Sequence, residues 1–64
     1  MKEKDIKKLP KKLERPGQYA SKRKAMQMAC DLESRTGLKH KVMKTVTWRD
    51  GIAYYCYIVV LDVT

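Results

Sequence analysis

Acidic residues are scarce in this chain. Seven Asp and Glu stand against fifteen Lys and Arg, a formal charge of +8 with the single histidine neutral. No apolar run is long enough to span a bilayer, and Met1 is followed by charge instead of the apolar core of a signal peptide. Those absences lead us to expect a cytoplasmic chain. Cysteine occurs only at Cys30 and Cys56, without CxxC spacing and with His40 as the sole further soft ligand. That is too little for a zinc site, so no metal or other cofactor is expected. A reducing compartment disfavours a disulfide, and both cysteines read as buried free thiols. His40 has no nucleophile or paired carboxylate at a readable spacing, and Asp50 is explained by turn chemistry. Catalysis is therefore not expected. Nothing matches an RNP motif, a zinc finger, a helix-turn-helix or a P-loop.

What is present is 64 residues with a dense apolar stretch at the C-terminal end. A chain of this length forms one domain and hides only about 60% of the surface exposed when unfolded, so its core is small. The organising segment is 48–63, WRDGIAYYCYIVVLDV, rich in β-branched and aromatic residues and opened by an Asp-Gly turn signal. The preceding segment from Leu38 to Trp48 alternates, its even positions (His40, Val42, Val46, Trp48) more apolar than its odd ones, with Lys44 the exception. Together they predict an antiparallel β-hairpin. A two-residue turn at Asp50-Gly51 sets Trp48 opposite Ala53 and Val46 opposite Tyr55. A three-residue loop slips the register by one and reverses the inward face.

Upstream, Ser21 to Thr36 predicts an amphipathic helix. Ser21 is the expected N-cap through its hydroxyl, and Gly37 the left-handed residue past the end. At about 100° per residue, Ala25, Met28, Ala29, Leu32 and Thr36 share one side, with Met26 and Cys30 flanking. Lys22, Arg23 and Lys24 crowd the positive end of the helix dipole, which costs helix stability but suits a phosphate. Residues 1–18 are Lys-rich and interrupted by Pro10 and Pro16-Gly17. They read as a flexible basic arm before an α-β-β domain at 19–64.

The expected fold class is thus α+β, one amphipathic helix followed by an antiparallel hairpin. A single helix cannot cover both faces of a strand that is apolar on both sides. The far edge of that strand also invites pairing with a second copy, so a homodimer sharing a sheet is expected.

The charge is not confined to the arm. Residues 1–16 hold seven basic and three acidic side chains, and residues 17–64 hold eight and four, so each part carries +4. Candidate phosphate contacts are Lys7, Lys8, Lys11, Lys12 and Arg15 on the arm, Lys22, Arg23 and Lys24 on the helix, and Lys39, Lys41 and Lys44 on the first strand. Tyr55 and Tyr57 are candidates for base stacking or for an interface. The first expectation is a small nucleic-acid-binding protein, for DNA or RNA. The second is an interaction module, an inhibitor or adaptor of viral character, that grips an acidic partner protein through its β-face or edge strand.

Overall fold

Chemistry local to the turn sets the main ladder of the sheet. In a computed structural model describing residues 6–63, Asp50 and Gly51 both adopt positive φ, 52° and 76°. A two-residue hairpin turn of that hand requires both, and Asp and Gly are residues that tolerate it. The flanking strands, His40–Arg49 and Ile52–Leu61, pair antiparallel with Trp48 opposite Ala53, Val46 opposite Tyr55 and Val42 opposite Val59.

Two further strands precede the helix. Lys7–Lys8 is β1, Gln18–Tyr19 is β2, the helix Lys22–Thr36 is α1, and the hairpin strands are β3 and β4. The protein is an α+β chain with one helix on a four-stranded mixed sheet. β3 holds one edge of β4. On the other edge β1 pairs parallel, with Lys8 beside Tyr55, and β2 pairs antiparallel, with Tyr19 beside Tyr57.

The N-terminal segment therefore departs from the expected flexible arm. Residues 1–5 lie outside the described residues, but from Lys7 onward the chain is seated on β4. Seating also bears on the predicted assembly. Part of the β4 edge offered to a second copy, at Tyr54, Tyr55, Tyr57 and Ile58, is occupied by the chain's own β1 and β2. A tethered strand reaches the edge at high effective concentration, without the loss of rigid-body freedom that a second molecule incurs.

Directly opposed residues of an antiparallel pair share a face. Val42, Lys44, Val46 and Trp48 thus lie with Val59, Tyr57, Tyr55 and Ala53, and Met43, Thr45 and Thr47 lie with Ile58, Cys56 and Tyr54. The helix covers only part of the first face, the end near Val42, and leaves Val46 and Trp48 exposed. Met26, Ala29 and Cys30 border one cleft with His40 and Val42, while Ser21 and Lys22 border another with Lys44, Tyr55 and Tyr57. The N-terminal segment serves the second face. One residue past the Lys8–Tyr55 pair, Leu9 and Cys56 are both buried, at 3% and 0% exposure, and the Leu9 amide donates to the Tyr55 carbonyl at 3.2 Å. Gln18 extends this cover. Its amide nitrogen donates to the Thr47 hydroxyl at 3.4 Å, and its carbonyl oxygen accepts from the Arg49 guanidinium.

The helix stops where Gly37 turns left-handed at φ 74°, its amide closing on the Glu33 carbonyl at 2.8 Å. Ala25 and Ala29 are buried, and Met28 and Leu32 are half-buried. Three predicted details differ. Thr36 is exposed, and its hydroxyl donates to the Leu32 carbonyl at 2.7 Å. The Ser21 hydroxyl makes no cap bond, although the Ser21 carbonyl accepts from the Ala25 amide. Cys30 is exposed, because it flanks the buried stripe instead of lying within it. No helix among the described residues is long and apolar enough to cross a membrane.

Two outcomes test this architecture. Leu9→Ala removes the apolar anchor of the N-terminal segment and lowers unfolding stability by about 2–3 kcal/mol in urea titration. A thiol reagent modifies one cysteine of the native protein, Cys30, and both after unfolding. Burial pushes the Cys56 thiol pKa up, against a smaller opposing pull from Arg49, and the unreactive thiol form is retained.

Candidate nucleic-acid interface

Several basic residues that are scattered along the sequence line neighbouring clefts, with Lys22 common to three of them. Lys8 from β1, Lys22 from the first position of α1 and Lys44 from β3 border a single cleft of about 290 Å³. Ala20 and Ser21 line it at the helix entrance, and Tyr55 and Tyr57 of β4 line it from the sheet. Three separate elements are needed to assemble it, and β4 is the strand that brings them together.

Each placement has a local cause. Lys8 follows from the parallel pairing of β1, which sets it beside Tyr55. Lys44 is opposite Tyr57, and its ammonium crosses diagonally to lie 4.1 Å from the centre of the Tyr55 ring. An ammonium over a ring face is drawn by the ring quadrupole, worth about 0.5–1 kcal/mol at an exposed site. This contact gives Lys44 an aromatic neighbour on the face of β3 that also carries Val42 and Val46, where it stays exposed. Lys8, Lys22 and Lys44 are exposed, and none of them has a carboxylate partner among the described residues.

The other candidates lie elsewhere. Lys24 is an ion-pair donor, its ammonium 2.8 Å from Glu14. The second Glu14 oxygen accepts from the Ala20 amide at 2.9 Å. The first turn of α1 has no acidic residue of its own, and Glu14 supplies one from outside the helix. It offsets part of the cation crowding at the positive end of the dipole. Lys41 borders the cleft beside Met26, and Arg23 lies on the outer helix surface with Met26 and Gln27. Lys7, Lys11, Lys12, Arg15 and Lys39 are exposed and line none of the three clefts described above.

Sequence reasoning did not single out Glu14, whose role depends on the N-terminal segment folding back onto the helix. It also left Trp48 out of the candidate set. The indole is 55% exposed, on the same face as Lys44 and Val46. Its alternation with Lys44 on the strand was the available signal. Among the described residues no three His, Cys, Asp or Glu side chains are grouped to hold a metal ion. Comparison with protein-family models, curated proteins and solved structures produced no match.

The Glu14 contacts carry a pH dependence. Its side chain is 13% exposed, and the Lys24 hydrogen bond, then the Ala20 amide, hold its carboxyl below the ordinary 4.5, with desolvation opposing. A carboxylate whose folded pKa is depressed contributes stability that is fully present above the unfolded value. That stability is lost as pH falls through the depressed one. Glu14→Gln accordingly lowers stability at pH 7 while narrowing the gap from the native protein as the pH drops below about 4, as read by denaturant midpoints over a pH series.

Proposed function

We propose that this protein binds nucleic acid without catalysing a reaction on it, through the cleft formed by Lys8, Lys22, Lys44, Tyr55 and Tyr57. The observation carrying this reading is the convergence of lysines from three elements beside paired tyrosines. An isolated charge run is adequately explained as a solvated surface. Three like charges gathered at one cleft repel one another and favour a polyanion that neutralises them. The tyrosines add flat apolar surface, which a nucleotide has and a simple anion lacks. Lys7, Lys11, Lys12, Arg15, Arg23, Lys39 and Lys41 contribute to the surrounding positive field, whereas Lys24 is already compensated by Glu14. We assign this activity to the cytoplasm, where both thiols remain reduced.

A second reading is supported by β3. Its outer edge pairs with no strand among the described residues, and an extended segment of an acidic partner protein has there a row of backbone groups to engage.

Salt separates the two. In the first reading, the logarithm of affinity for labelled nucleic acid falls linearly with the logarithm of salt concentration. Changing Lys8, Lys22 and Lys44 together to Ala lowers the slope by about 2 to 3. Circular dichroism verifies that the variant is folded. Absence of binding at low salt, or an unchanged slope in the folded variant, rejects the cleft. Capture of an acidic extended peptide that is retained in high salt favours the β3 edge.

A further inference from the structure

We infer that the ligand is single-stranded and that Trp48 stacks on one of its bases, an inference that rests on the nucleic-acid reading above. Trp48 and Lys44 lie on one face of β3, with Val46 between them, and alternate positions on a strand are about 6.6–6.8 Å apart. Trp48 is 55% and Val46 40% exposed. Opposite Trp48 is Ala53, a buried residue too small to rise beside the indole. The result is an exposed apolar platform that continues from Lys44 toward the hairpin turn.

Charge and shape select the occupant. The platform begins at Lys44 and the nearest cleft contains two further lysines, so its partner must place planar apolar groups next to anionic ones. The Tyr55 ring already lies beneath the Lys44 ammonium, so that ring face is engaged. Trp48 is the more open aromatic surface. Bases in a duplex are stacked on one another and present only their edges, leaving an indole nothing to stack on unless they are flipped out. In a single strand every base has a free face, and stacking on an aromatic side chain is tolerant of sequence.

Trp48 is the chain's only tryptophan, so its emission reports on this position alone. The full chain is titrated with an oligo(dT) of about 12 nucleotides, an RNA of matched length and a hairpin duplex, at low and high salt. Binding is followed in parallel by anisotropy of a label on the nucleic acid. The expected result is saturable quenching by single strands but not by the duplex. Trp48→Ala then weakens single-strand binding about tenfold and leaves duplex binding unchanged, while Trp48→Phe restores most of the loss. Because the indole is exposed, the variants are expected to fold, which circular dichroism checks. Binding of the duplex at least as tightly as single strands, with Trp48 emission unaltered, overturns the single-strand inference and leaves the nucleic-acid reading standing. No binding to any of the three at low salt overturns both.

Discussion

The structure depends on β4 being hydrogen-bonded along both edges. β3 takes one edge along its whole length, and β1 and β2 share the other. Once both edges are occupied, the register of the hairpin is coupled to the N-terminal segment. A one-residue slip would turn Cys56 and Leu9 out of contact with the interior and move Lys44 away from Tyr55, because a strand's side chains alternate faces. The same pairing brings Lys8 to the cleft. Core and candidate site are therefore set by one strand.

The molecule is thin, only 17 Å along its shortest axis. Among the described residues Leu9, Ala25, Ala29, Ala53 and Cys56 are the buried apolar ones, and four of these five are small. Small side chains let helix and strands approach closely, but they remove little area from water, roughly 25 cal/mol for each Å². Larger apolar residues, Met26, Met43, Val46 and Trp48, remain on the surface. Stability and the proposed binding thus draw on different residues. The small interior residues hold the sheet and helix together, while Trp48 and most of the lysines remain exposed.

Glu14 links the two. It lies on the segment that follows the short 3-10 turn Lys11–Leu13, and it reaches the start of the helix through Ala20 and Lys24. By compensating Lys24 it reduces the repulsion at the helix entrance, where Lys22 faces the cleft. Sequence inspection could recognise the crowding of three cations at the helix start but not its remedy, since Glu14 and Lys24 are ten positions apart and separated by a turn and a strand. Cys30 illustrates a different limit. Its position beside the buried helix stripe was legible from periodicity, but its exposure depends on how far β3 extends under that side of the helix.

By itself, the sequence determined what rests on local chemistry. The α+β class follows from the change between helical and alternating periodicity. The left-handed residue at Gly37 follows from the small steric demand of Gly, whereas the choice between a two- and a three-residue turn at Asp50-Gly51 was left open by the sequence. The strongly basic balance is simply composition. Only the tertiary structure decided which lysines meet, that Leu9 rather than a second chain covers Cys56, and that Trp48 is left open. The first two arise from pairing across the chain, over forty positions for Lys8 with Tyr55. Such contacts depend on competition among many possible partners for the same strand edge, and no local pattern records which of them wins.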